Sequence, residues 1–326
     1  MPLAYDPEFY KTAAPGLQAL AAAPKATTPH DVPAVRAHLE AMIEPAAAAA
    51  PALPEIEESV FQVPSYDGYL VSVHKVALKP TNPYTIPEAG PAIVHAHGGG
   101  TIYGSAGKWT RIHHPMVKAT GVPIYTVEYR LAPENPFPAG VEDVYAVLKW
   151  IHEQGERIGV DSARLAVAGE SAGGNLAAAV AIMARDRGLS PSVKKQLLYY
   201  PALDDRNVVP DEELEGFVAP WNYVHSVTAW GAYLGKENVG KDDVSPYASP
   251  ARVKNFEGLP AAYIDVGGLD IFRDECAAYA KGLREAGVAV EFHLYEGLTH
   301  VFEIFGFGTE PVMRALVNRL AAVQGI

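Results

Sequence analysis

From Val60 onward the chain repeats one rhythm: short apolar runs alternate with longer segments in which apolar residues recur every three or four positions. A mostly parallel sheet covered by helices on both faces needs this pattern, because each parallel strand must be followed by a crossover that returns the chain to the same end of the sheet. The runs predict strands at 60–65, 69–78, 92–97, 123–131, 164–169, 195–203, 261–268 and 289–297, with helices at about 108–120, 139–158, 172–187, 273–286 and 311–324. The first two runs meet across "YDG", a hairpin signal, so the sheet is expected to open with an antiparallel pair. The fold class read from this rhythm is α/β.

Two stretches break it. Residues 1–57 are rich in alanine and proline, contain the helical piece "VPAVRAHLEAMIE" and the linker-like "PAAAAAPALPE", and are expected to form a helical lid or arm without a strand. Residues 205–240 interrupt the alternation with Trp221, Tyr223, Trp230 and Tyr233, which fit no strand and suit a helix inserted to roof a pocket. The core is then expected in two parts, 58–204 and 241–326, with 1–57 and 205–240 as the covering segments.

Composition narrows the function. A chain of 326 residues can bury about three quarters of its unfolded surface, and 49% hydrophobic against 20% charged residues is the balance of a globular protein. The formal charge of −12 carries no basic cluster, which argues against a nucleic acid or an anionic membrane as partner. No apolar segment reaches transmembrane length, and "MPLAYDPEFYK" lacks the basic and apolar regions of a secretory signal. The one cysteine, Cys276, excludes an internal disulfide or a multi-cysteine metal site, and its simplest place is the core face of a helix. The expected location is the cytoplasm.

The chemistry is concentrated in four places. In "RLAVAGESAGGNLAAAVAIMA" a G-x-S-x-G pattern lies between an apolar run and a helix. Glycines 169 and 173 let the backbone turn tightly, so that Ser171 stands at the strand's C-terminal end with its hydroxyl exposed to the crevice. The helix that follows aims its N-terminus at the same crevice, making the Ala172 amide a candidate donor to an oxyanion. In "IVHAHGGGTIYGS" three glycines follow a buried strand, and no lysine–serine or lysine–threonine pair follows them as in a phosphate loop. Gly99 and Gly100 are the candidate second donors, with Gly98 as support and His97 placed to orient the loop. A serine needs a base, and His300 in "YEGLTHVFE" lies after the last predicted strand. The base needs an acid: Asp270 ends the preceding strand and fits, Asp274 and Glu275 are runners-up at the start of the next helix, and Asp265 lies inside the strand.

These residues resemble the hormone-sensitive-lipase-like family of α/β-hydrolase-fold esterases, the bacterial class IV carboxylesterases with fungal and plant relatives. The resemblance runs from about 90 to 305 through "HGGG", "YRLAPENPFPA" followed by Asp143, "GESAGGNL", "SPYASP", "LDIFRDE" and "GLTHVF". It implies an eight-stranded hydrolase core, a cap made from the N-terminus and an insertion after the sixth strand, the triad Ser171, Asp270 and His300, and an oxyanion hole of Gly99, Gly100 and Ala172. Three positions depart from the family pattern: Thr101 where an aromatic is usual, Glu170 in place of aspartate, and Val301 where a glycine usually follows the histidine. None removes a catalytic group.

The activity implied is hydrolysis of short- to medium-chain carboxylic esters through an acyl-enzyme, with no cofactor or metal. Phe302, Phe305 and Phe307 are expected near the pocket entrance, or in the packing of the last helix. An amide, lactone or carbamate hydrolase would share the triad. A silent receptor on the same fold would lack the histidine, which is present here. The last strand and helix, 289–324, offer a surface on which two copies could pair as a homodimer.

Overall fold

The computed structural model describes residues 3–22, 28–80, 88–214, 216–217 and 220–326. The parts of the expected covering segments that fall on 1–2, 23–27, 215, 218 and 219 lie outside them. Among the described residues eight strands form one sheet: β1 (Ile56–Pro64), β2 (Leu70–Leu78), β3 (Gly90–Ala96), β4 (Ile124–Val127), β5 (Val160–Glu170), β6 (Lys195–Tyr199), β7 (Ala261–Gly267) and β8 (Val290–Tyr295), in the spatial order β1-β2-β4-β3-β5-β6-β7-β8. β2 runs antiparallel to both β1 and β4, and the remaining neighbours are parallel. The helices are α1 (Pro7–Ala22), α2 (Val32–Ala49), α3 (Ala106–Thr120), α4 (Ala139–Ile158), α5 (Ala172–Asp186), α6 (Tyr223–Leu234), α7 (Arg273–Glu285), α8 (Phe302–Gly306) and α9 (Glu310–Gln324).

The hairpin forms where "YDG" placed it, with Gly68 at φ 86° and the Tyr69 carbonyl accepting from the Ser65 amide at 2.7 Å. Several strand boundaries differ from expectation, β5 among them, which starts at Val160, and three of the differences have a visible reason. β1 starts at Ile56, because "IEES" pairs with β2 as a largely exposed edge and so shows little apolar signal. β4 stops at Val127, since Glu128 turns out to accept the Ala106 amide at the start of α3 and Tyr129 stacks on His97. β6 ends at Tyr199 because Tyr200, whose amide makes the last ladder bond to the Asp265 carbonyl, adopts φ 37° and turns the chain out of the sheet.

The central strands are buried on both faces, as a doubly covered parallel sheet requires. α5 is buried along almost its whole length, and its alanines and glycines let it lie close to the sheet. Cys276 is fully buried on α7. No described helix is long and apolar enough to cross a membrane. All parallel strands point their C-terminal ends to the same side, and the loops there carry Ser171, the glycine loop, Asp270 and His300.

Candidate active site

Ser171 sits between β5 and α5 at φ 55°, ψ −118°, a strained conformation for a non-glycine residue. Its amide donates to the Tyr199 carbonyl at 2.9 Å. The flanking glycines are required by close approach. A Cβ on Gly169 would stand 2.3 Å from the Gly173 carbonyl oxygen, and one on Gly173 would stand 2.0 Å from that of Ala96. The turn therefore exists only because both positions lack side chains.

His300, in the loop after β8, brings its imidazole to this serine. The Ser171 hydroxyl donates to His300 Nε2 at 3.0 Å, and His300 Nδ1–H donates to Asp270 Oδ2 at 2.6 Å. The second Asp270 oxygen accepts the Phe272 amide at 3.0 Å, which fixes the carboxylate's rotation. Ser171, Asp270 and His300 are 6%, 1% and 3% exposed, so the chain of three groups is shielded from water. Rings of Tyr200 and Phe272 meet the imidazole edge-on, with centroids 4.8 and 5.2 Å away.

The runner-up acids lie elsewhere. Glu275 is buried and accepts the Leu203 amide and the Asn207 side chain, pinning the chain after β6. Asp274 pairs with Arg273 at the surface. Asp265 is buried within β7 and bound by Arg319.

The glycine loop is shaped by its own backbone. Gly99 and Gly100 adopt φ 122° and 64°, and the Gly99 carbonyl accepts the amides of Ile102 and Tyr103. A Cβ on Gly99 would stand 2.1 Å from the Tyr103 carbonyl oxygen. His97 Nδ1–H donates to the Gly98 carbonyl at 2.8 Å, and the ring stacks on Tyr129 at 4.3 Å, whose hydroxyl donates to the His97 carbonyl. Burial pushes His97 down to about 4, so it is a neutral strut. Thr101 is left-handed as well, at φ 59°, and its hydroxyl donates to the Gly100 carbonyl. Ala172 opens α5, where a first-turn amide has no partner within the helix.

Glu170 has a role that its sequence neighbours do not reveal. Both its carboxylate oxygens face His95 Nε2, at 3.0 and 2.9 Å, and His95 Nδ1 lies 3.3 Å from Nε2 of His113 on α3. Burial pushes Glu170 up, but His95 outweighs it and holds the carboxyl below its ordinary value. His113 is driven by burial, with His95 beside it, to about 3 and is therefore neutral. This buried chain joins the ends of β3 and β5 to α3, supporting the glycine loop and the serine turn from below. Glu170 alone in its motif gives no hint of it, since its partners are 75 and 57 residues away in sequence, by position His95 and His113.

A cavity of about 20 Å³ opens at Ser171 beside Gly100, Ala172 and Asn175, with Phe272 on one side. Its far wall is Trp221, Trp230 and Tyr233 together with Ser226 and Ala229, from the segment that breaks the strand-helix rhythm. Tyr223, expected with them, is 38% exposed. Trp221 comes so near the loop that a Cβ on Gly100 would stand 2.5 Å from its ring. α2 joins this layer: Arg36 donates to the Ile102 and Ala132 carbonyls, and His38 donates to that of Pro220. Of the three phenylalanines expected near the entrance, Phe302 is buried against Tyr200 and Tyr295, Phe305 faces Gly16 of α1, and Phe307 is 68% exposed. None of the three lines the cavity.

A fold of this topology, with serine, histidine and carboxylate meeting at the strand C-termini, defines an α/β hydrolase. A family model described as alpha/beta hydrolase fold matches residues 93–304. Esterase LipI of Mycobacterium tuberculosis is 36% identical over 73% of this chain and 73% of its own length. An ethyl acetate hydrolase of Pseudomonas putida is 32% identical over 72% of this chain and 73% of its own. Among solved structures, a bacterial heroin esterase superposes with a TM-score of 0.86 at 33% identity, covering 98% of this chain and 97% of that one. The chain belongs to the hormone-sensitive-lipase-like carboxylesterase family of the α/β-hydrolase fold.

Proposed function

We propose that the protein hydrolyses carboxylic esters of short to medium acyl length through an acyl-enzyme on Ser171. His300 Nε2 takes the hydroxyl proton as Oγ attacks the carbonyl carbon, and then returns it to the departing alcohol. Asp270 holds the imidazole in the required tautomer and stabilises its charged form. The amides of Gly99, Gly100 and Ala172 are assigned to the oxyanion, where losing one donor costs about 3–4 kcal/mol of transition-state stabilisation. Water then repeats the attack on the acyl-enzyme and frees the acid. The observation that carries this reading is the unbroken contact from Ser171 Oγ through His300 to Asp270, at 3.0 and 2.6 Å, opening on a small cavity.

The preference for small acyl groups rests on the two tryptophans, Trp221 and Trp230, that close the cavity beside Ser171. The names of an ethyl acetate hydrolase and a heroin esterase among its relatives point the same way. We read residues 1–57 and 205–240 as one cap over the site. A cytoplasmic location agrees with the one buried thiol, and pairing of two copies through β8 and α9 agrees with the exposure of Leu294 and Val317.

The test is hydrolysis of aryl esters of increasing acyl length by wild type and Ser171→Ala. Wild type should turn over acetyl and butyryl esters best and react covalently with a fluorophosphonate, and the variant should do neither. Equal rates in the two proteins would refute the assignment of Ser171. A preference for long-chain emulsified esters would refute the substrate range.

A further inference from the structure

Two residues beside His300 hold left-handed backbone, one in its own loop and one just after β6. Val301 lies at φ 48° and Tyr200, whose ring edge faces the imidazole, at φ 37°. Left-handed backbone is unfavourable for a bulky residue, so each persists only where its surroundings over-determine it. The surroundings here converge on one side chain from the last helix.

Arg319 of α9 is 4% exposed. It donates Nε and Nη2 to the two oxygens of Asp265, at 2.6 and 3.0 Å, and Nη1 to Glu303 Oε1 at 2.9 Å. The same Glu303 oxygen accepts the Tyr200 hydroxyl. The guanidinium also lies over the rings of Tyr200 and Phe302, 5.2 and 5.1 Å from their centroids. Asp265 in turn supplies the carbonyl that accepts the Tyr200 amide at 2.7 Å. Burial pushes Glu303 up, but Arg319 and the Tyr200 hydroxyl together hold it below its ordinary value, so it is anionic.

We propose that Arg319, acting through Glu303 and Tyr200, is a positioning residue for His300. One guanidinium ties together the strand before Asp270, the residue that follows β6 and the helix that follows His300. It thereby sets the ring of Tyr200 against the imidazole and limits the swing of Nε2 relative to Ser171. The planar fork suits this task because its separate donors serve Asp265 and Glu303 at once, and a lysine ammonium has no equivalent geometry. A buried ion pair is weak evidence for a purely stabilising role, since its desolvation offsets much of its attraction. The inference rests on the esterase reading above.

The experiment compares wild type, Arg319→Lys and Tyr200→Phe. Tyr200→Phe keeps the ring and removes only the hydroxyl, so it remains informative if Arg319→Lys does not fold. Folding is followed by circular dichroism and thermal midpoint, active sites are titrated with a fluorophosphonate, and kcat is expressed per titrated site. Positioning predicts a fall of about tenfold in kcat per site with KM within about twofold, and a matching fall in the fluorophosphonate reaction rate. Variants that lose midpoint or active fraction but keep wild-type kcat per site would overturn the inference and leave the esterase reading intact. A wild type that neither hydrolyses esters nor reacts with the fluorophosphonate would overturn both.

Discussion

Replacing Gly173 with alanine sets local propensity against tertiary packing, and the two predict opposite signs. Gly173 lies in the first turn of α5, where alanine is favoured over glycine by up to about 1 kcal/mol. The added Cβ, however, would stand 2.0 Å from the Ala96 carbonyl oxygen and 2.6 Å from that of His97. Ordinary carbon–oxygen contacts are at about 3.3 Å or more, so β3 and α5 would have to part by roughly 1 Å. Neither oxygen belongs to a flexible side chain, and β3 is bonded on both edges, to β4 and β5. Overpacking typically costs 1–3 kcal/mol, and a clash against fixed backbone belongs at or beyond the upper figure, leaving a net loss of about 2–3 kcal/mol. At about 2 °C per kcal/mol for a domain this large, the thermal midpoint should fall roughly 4–6 °C.

Activity should fall further than stability. Ala96 and His97 lead directly into the glycine loop, and a displacement of about 1 Å between that loop and Ser171 can cost on the order of 100-fold in rate. The assay is a thermal melt and kcat per titrated site on the same preparation. Gly188→Ala is the control: its φ of 69° is also unfavourable for alanine, but no atom lies within 4 Å of the added carbon. That variant should lose about 1 kcal/mol and keep its kcat. A Gly173→Ala protein with an unchanged or higher midpoint would refute the packing argument.

Trp230→Ala should enlarge the cavity beside Ser171 and move the optimum toward longer acyl chains, at a cost in stability of about 3 kcal/mol or more for a buried tryptophan; an unchanged chain-length profile would show that Trp230 does not bound the acyl group. His225 in the covering layer is held neutral at about 3, first by burial and then by His38. The unfolded chain protonates this histidine below about 6.5 while the folded one does not, so its presence makes stability fall as pH falls, by up to about 1.4 kcal/mol per pH unit between roughly pH 6 and 4. His225→Phe removes that term, and the stability of the variant relative to wild type should rise by that amount for each unit of acidification, measured by urea unfolding. Parallel curves for the two proteins would contradict the assignment.

How much of the molecule is legible in its sequence follows the range of the forces involved. The strand-helix alternation and the "YDG" hairpin depend on burial of neighbouring residues and on local backbone freedom, so all eight strands can be placed from the chain alone, with errors confined to their ends. Those errors have different causes: Tyr200 leaves β6 through its left-handed backbone, Glu128 reaches the amide of Ala106 at the start of α3, and the exposed "IEES" edge of β1 carries little apolar signal. At the site, glycine spacing alone announces a tight turn at Ser171. The sequence already favours Asp270 over Glu275, since Asp270 ends the strand while Glu275 starts the next helix, and in the fold Asp270 meets His300 while Glu275 holds the chain after β6.

The partners of Glu170 and the role of Arg319 are invisible in sequence. Glu170 reads there as an unexplained substitution, and only the fold sets His95 and His113 beside it, while Arg319 sits in a helical segment whose polar residues would ordinarily face water. A buried charge leaves no mark in composition or periodicity, because its desolvation is compensated by groups that the chain brings together only on folding. The sequence by itself determined the order of elements along the chain, the glycine-bounded turns and the residue types available for the chemistry. The tertiary structure decided which buried pairs and which aromatic wall those residues would meet, since contacts across many tens of residues are set by how the layers pack rather than by the segments themselves.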